Sequence, residues 1–177
     1  MSERILLALP GPAHAALWKH LVPERHLVEE SAFAYAARET ADGAEVLRCV
    51  EWAPVAPQGF VSRSAFHLEL TDAARAAAIK RAHDLGASLV EFHSHTGRWP
   101  AAFSGSDLAG FREFVPHVWW RLKGRPYLAV VVARSGFDGL AWLTGPDAPR
   151  SLAGVMAGDE LLTPTRLSRW DAESDND

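Results

Sequence analysis

Residues 88–107 read Ser88-Leu89-Val90-Glu91-Phe92-His93-Ser94-His95-Thr96-Gly97-Arg98-Trp99-Pro100-Ala101-Ala102-Phe103-Ser104-Gly105-Ser106-Asp107. Ser88 to Phe92 is short and apolar enough to predict a strand, and the strand ends on His93-Ser94-His95. Residues two apart in extended chain project to the same side, so His93 and His95 can present two imidazoles to one point. The loop Thr96 to Phe103 follows, containing Gly97 and Pro100, and a helix is predicted from about Ser106 to Val118. Asp107 at its start can fold back as a third metal ligand. Three protein ligands leave one tetrahedral position open, which distinguishes a catalytic metal site from a closed structural one. Taken alone, Ser104-Gly105-Ser106-Asp107 also has the spacing of a helix capping box, and His-x-His pairs arise by chance.

Outward from this stretch, the chain alternates strands and helices. Ile5 to Leu9 reads as a strand, Pro10-Gly11-Pro12 punctuates it, and a helix from about Ala13 to Leu21 stops before Pro23. Ser31 to Arg38 and Ala44 to Trp52 read as a β-hairpin turning at Asp42-Gly43. Ala53 to Ser64 reads as a loop and Ala65 to Leu70 as a strand. Thr71 or Asp72 caps a helix over Ala73 to Leu85 that stops at Gly86. Tyr127 to Ala133 is a β-branched run suited to a central strand, with Gly139 to Leu143 returning antiparallel; beyond Pro149 the pattern weakens. The expectation is one α/β domain over residues 1–170, a mixed sheet flanked by helices, and a solvated acidic tail over residues 171–177.

Composition narrows the function classes. With 177 residues, a net charge of −4 and scattered Lys and Arg, the chain has no basic footprint for nucleic acid or an anionic membrane. No stretch approaches the roughly 20 apolar residues of a membrane span, and the apolar run after Arg4 is too short for a secretory leader. A cytoplasmic protein is expected. Cys49 is the sole cysteine, which excludes an internal disulfide or a thiolate cluster, so a metal would rest on His and carboxylates. Cys49 itself is expected to be buried and structural.

The order His93-Ser94-His95, spacer, Ser104-x-x-Asp107, with a glutamate well upstream, resembles the signature of the JAB/MPN (JAMM) zinc metallopeptidases. The spacer here has eight residues where that family has seven, and Thr96 stands where a proline is common. The segment Glu30-Ser31-Ala32-Phe33-Ala34-Tyr35-Ala36-Ala37-Arg38 looks like the family's strand opened by the acid/base glutamate. Glu30 is therefore the expected acid/base. Glu29, expected to face the opposite way, Glu51 and Glu91 are the weaker alternatives.

The resemblance covers about residues 3 to 145 and implies a cytidine-deaminase-like α/β fold. It implies Zn2+ on His93, His95 and Asp107, and Ser104 as oxyanion donor. It further implies cleavage after the Gly-Gly-type tail of a ubiquitin-like protein, for maturation or deconjugation, in a bacterial conjugation system of the kind that includes antiphage operons. Processing of sulfur-carrier proteins and a catalytically silent partner-binding scaffold are the alternatives. Trp99 in the spacer is equally suited to walling a substrate groove or to packing. His14, His20, His26, His67, His83 and His117 are expected in surface or core roles.

Overall fold

The computed structural model describes residues 3–170. Its centre is a nine-stranded mixed sheet in the order β11-β10-β1-β3-β2-β6-β7-β8-β9, built from β1 (Arg4–Leu9), β2 (Ser31–Ala41), β3 (Ala44–Pro54), β6 (Ser88–Ser94), β7 (Tyr127–Ala133), β8 (Gly136–Trp142), β9 (Arg150–Ser151), β10 (Gly154–Ala157) and β11 (Glu160–Leu162). A separate two-stranded ribbon pairs β4 (Phe60–Arg63) with β5 (Leu68–Leu70). Three α-helices complete the fold among the described residues: α1 (Gly11–Leu21), α2 (Asp72–Leu85) and α3 (Gly105–Arg121). None is long and apolar enough to cross a membrane. The expected acidic tail at 171–177 lies outside the described residues.

Local chemistry explains the main boundaries. The β2–β3 hairpin turns at Asp42 and Gly43, whose φ values of 49° and 72° are the two positive angles of a tight two-residue hairpin turn. The Thr71 side chain accepts from the Ala74 N–H at 3.0 Å to start α2. Gly86 ends it in the left-handed conformation, where a Cβ would be strained. Helix α3 carries Pro116 in its interior yet continues to Arg121.

The central strands β6 and β7 are buried along their whole lengths, so their side chains divide between two apolar layers. On one face Phe33, Tyr35, Leu89 and Val131 pack with Ile79 of α2 and Phe111 and Val115 of α3. On the other, Ala32, Ala34, Val90 and Phe92 pack with Leu17 and Leu21 of α1. A helix–sheet–helix sandwich results. β6 lies between β2, antiparallel, and β7, parallel, with His93 opposite Ser31 on one side and Val131 on the other. Its C-terminal end therefore opens beside α3 with both flanking ladders already formed.

The structure departs from the sequence expectation in two places. Residues 60–63, expected in a loop, form a strand, whereas the expected strand over 65–70 contracts to Leu68–Leu70. Beyond Pro149 the chain adds β9 to one edge and β10 and β11 to the other, with β10 parallel to β1.

Replacing Gly43 by Ala puts a Cβ at positive φ while meeting no neighbouring atom within 4 Å, so the cost is conformational. A loss of about 1 kcal/mol in urea unfolding is expected, with the fold retained by circular dichroism.

Candidate metal centre

The end of β6 places His93 in the protein interior, 4% exposed. One residue past the strand, the His95 N–H continues the ladder to the Val132 carbonyl at 2.9 Å. Backbone pairing thus fixes both imidazoles before any ligand arrives. Asp107 comes from the first turn of α3, where the Ser104 Oγ accepts from the Asp107 N–H at 3.1 Å and Asp107 Oδ2 accepts from the Ser104 N–H at 2.9 Å. The capping box is therefore formed, and the same arrangement turns the Asp107 carboxylate toward His93 and His95.

Asp107 Oδ2 and the Nε2 atoms of His93 and His95 form a triangle with all three edges 3.1 Å. A tetrahedral zinc with bonds of about 2.0–2.1 Å separates its ligands by about 3.3–3.4 Å, so the donors need spread by only a few tenths of an ångström. Two neutral imidazoles and a carboxylate match the chemistry of such an ion. These three residues can hold a metal ion.

The electrostatics agree. Burial would raise the Asp107 carboxyl, but charge and hydrogen bonds from His93, a hydrogen bond from His95 and the Ser104 N–H outweigh it and hold the group far below the usual carboxylate range. Burial likewise pushes the His93 imidazole down, yet the Asp107 carboxylate overcomes it and leaves His93 raised.

The carboxylate next to this triangle is Glu29, not Glu30. Ser31 pairs with His93 and shares its face of the sheet, so the alternation continued upstream puts Glu29 on that face and Glu30 on the other. Glu29 is 5% exposed. Its N–H is fixed to the Ser64 carbonyl at 2.8 Å, and its carboxylate lines the cavity over the metal ligands, accepting no hydrogen bond from the described residues. Burial raises this carboxyl, with His93 and His95 opposing and Asp107 reinforcing.

The Glu30 carboxylate sits instead against Arg63 of β4 at 2.6 Å and 3.7 Å from His20 of α1. The structure thus does not bring Glu30, the expected acid/base, to the triangle: the residue ties the β4–β5 ribbon and α1 to the sheet.

The cavity has a volume of about 570 Å³ and includes Glu29, His93, His95, Ser104 and Asp107 in its walls. The Ser104 hydroxyl uses its oxygen as acceptor in the cap, which leaves its proton available to a ligand. Two aromatic side chains line the cavity while remaining largely in solvent, Phe66 at 91% and Trp99 at 83% exposure. Trp99 is thus a groove wall rather than a packing residue.

Three participants, Tyr127, Arg75 and His67, escaped the sequence reading, in which Glu91 was only a weaker acid/base alternative. Glu91, two residues before His93 on the same face, receives a short hydrogen bond from the Tyr127 hydroxyl and has Arg75 at 3.9 Å. Burial, then the charge of Glu91, push the Tyr127 hydroxyl well above its ordinary value, so it stays a donor. Glu91, Arg75 and His67 all line the cavity. Period-two alternation from His93 places Glu91 on this face; the positions of Tyr127, Arg75 and His67 depend on pairings distant in sequence. Cys49 is buried, its thiol raised chiefly by desolvation, as expected of a structural cysteine.

Compared with known proteins, the chain matches no family model, and no curated protein matches it significantly. The geometry therefore carries the functional argument.

Metal must displace protons from the ligands, and His93 holds its proton above the ordinary histidine range. Affinity for zinc measured by chelator competition should therefore rise between about pH 6 and about pH 8. His95→Ala should abolish stoichiometric binding. Glu30→Ala should keep the metal while losing about 1–2 kcal/mol of stability through Arg63.

Proposed function

We propose that the protein is a zinc-dependent peptidase or isopeptidase of the JAB/MPN kind, acting on the Gly-Gly-type tail of a ubiquitin-like protein or its conjugates. The observation that carries the reading is a triangle of three metal donors sharing one open cavity with a buried, unpartnered carboxylate, Glu29. The order of the ligands along the chain, the strand-end histidines and the helix-start aspartate support assigning the fold to the MPN architecture.

Zinc held by His93, His95 and Asp107 would supply Lewis acidity, bringing the pKa of water toward about 7 and polarising a carbonyl. Glu29 then takes the proton of the attacking water, which its position in the cavity wall allows. The same carboxylic acid returns the proton to the leaving amine as the C–N bond breaks. The Ser104 hydroxyl donates to the carbonyl oxygen as negative charge develops there. Asp107 is held in place by the Ser104 N–H, so the capping box keeps ligand and oxyanion donor in register.

An extended glycine tail suits the entrance. Phe66, between β4 and β5, and Trp99 on the 96–103 loop both line the cavity and offer aromatic faces to such a tail. A cytoplasmic conjugation system of bacterial type is the setting this reading implies.

The decisive assay is cleavage of a fusion ending in Gly-Gly by the zinc-loaded protein. Glu29→Gln should lower kcat by about 10²–10⁴-fold with zinc retained, and Ser104→Ala by about 10²-fold or more. Glu30→Ala should remain active. Stoichiometric zinc without cleavage of any Gly-Gly fusion would reassign the domain to a binding scaffold, and loss of activity in Glu30→Ala with full activity in Glu29→Gln would reverse the acid/base assignment.

A further inference from the structure

After β11 the chain runs from Thr163 to Trp170 without regular secondary structure, in a region beyond that covered by the family resemblance. It is nonetheless anchored. Asp138 of β8, 1% exposed, accepts hydrogen bonds from the Arg166 N–H at 3.2 Å and the Ser168 N–H at 2.8 Å. The Thr165 N–H reaches the Phe137 carbonyl at 2.9 Å. At the end of the segment, Trp170 stands edge-on to the buried Trp142 at 5.6 Å, and the Arg112 guanidinium lies 4.6 Å from its ring centre.

From this anchor the segment reaches across to the loop between His95 and Ser104. The Thr165 hydroxyl donates to the Ala101 carbonyl at 2.5 Å, and the Ser168 Oγ accepts from the Phe103 N–H at 2.9 Å. Ala101 is fully buried and Phe103 is 6% exposed. The Phe103 ring lies 5.7 Å from the His93 ring and meets Phe111 edge-on at 5.0 Å. The next residue is Ser104, the cap of α3 that fixes Asp107. Phe103 is thus held by the C-terminal segment on its backbone and presses on a metal ligand with its side chain.

We infer that residues 163–170 form a strap that positions the metal centre, with Ser168 and Thr165 as positioning residues acting through Phe103 and Ala101. This rests on the metal-binding reading of His93, His95 and Asp107 and is independent of the peptidase reaction. The loop it secures is irregular and has no ladder of its own to hold it. The Thr165 and Ser168 hydroxyls, carried on a segment whose backbone is held by the Phe137 carbonyl and the buried Asp138, replace that missing ladder, in the way that outer-shell partners orient metal ligands elsewhere.

The test uses the full chain and cobalt(II) as a spectroscopic substitute for zinc. Ser168→Ala and Thr165→Val, singly and together, are compared with the hydroxyl-keeping Ser168→Thr and with wild type. Expected for the double variant are about 10–100-fold weaker cobalt binding, altered visible absorption bands of the bound ion, and faster hydrogen exchange at residues 103–108 in the metal-free protein. Ser168→Thr should restore most of each. Exchange that accelerates in β7 as much as at 103–108, or cobalt affinity and spectra unchanged in the double variant, would overturn the strap. If wild type itself takes up no cobalt, the metal reading fails, and exchange at 103–108 still decides the strap: selective acceleration supports it and no change overturns it.

Discussion

The register between β2 and β6 is the constraint on which the site depends. Ser31 lies opposite His93, Phe33 opposite Glu91 and Tyr35 opposite Leu89, so one face of two neighbouring strands carries both a core and a set of functional groups. The two faces bury different side chains against different helices, and a slip of one residue would drive Phe33 and Tyr35 toward α1 and the alanines toward α2 and α3. Packing thereby locks the ladder. The locked ladder carries Glu29 to the His93 side and Glu30 to the Arg63 side. The acid/base candidate is selected by hydrophobic packing several residues away from any chemistry.

Asp107 meets a second constraint. Its carboxylate completes a helix cap and points an oxygen at two imidazoles, and these demands reinforce each other. The Ser104 N–H and the positive end of α3 both favour the ionised carboxylate, which is the form a metal requires. Convergence of three donor atoms at 3.1 Å is sustained by strand pairing at His93 and His95, the cap at Asp107, and Phe103 against the His93 ring. A site assembled this way loses little freedom when it takes up an ion.

Much of this was legible in the sequence because it is local. Thr71, the alanine run and Gly86 announce α2; Asp42-Gly43 announces the hairpin; the apolar run before His93 announces β6. The three candidate ligands were legible for the same reason, since His-x-His on a strand and an aspartate at a helix start need only local geometry. The failures share a different physical cause. Glu29 and Glu30 are adjacent and chemically identical, and only pairing with a strand about sixty residues on decides which one faces the histidines. The β4–β5 ribbon was hidden by Pro54, Pro57 and Gly59, which read as loop. Of the short strands β9 to β11, β10 takes its identity from β1 at the far end of the chain, and strands of 2–4 residues offer no period to detect.

The placement of Glu29 also bears on how one carboxylate could serve as both base and acid. Buried with no hydrogen-bond donor among the described residues, it is shifted toward its protonated form by desolvation, the condition under which a carboxyl becomes a competent acid near neutrality. Positive charge close by acts in the opposite sense and favours the ionised base. In the proposed reaction the balance between these two influences changes as substrate enters the cavity and excludes water. Exclusion of water strengthens both desolvation and Coulomb attraction, so in that reaction the two opposing influences on Glu29 grow together. Glu30, paired with Arg63 at 2.6 Å, is not among the side chains that line the cavity.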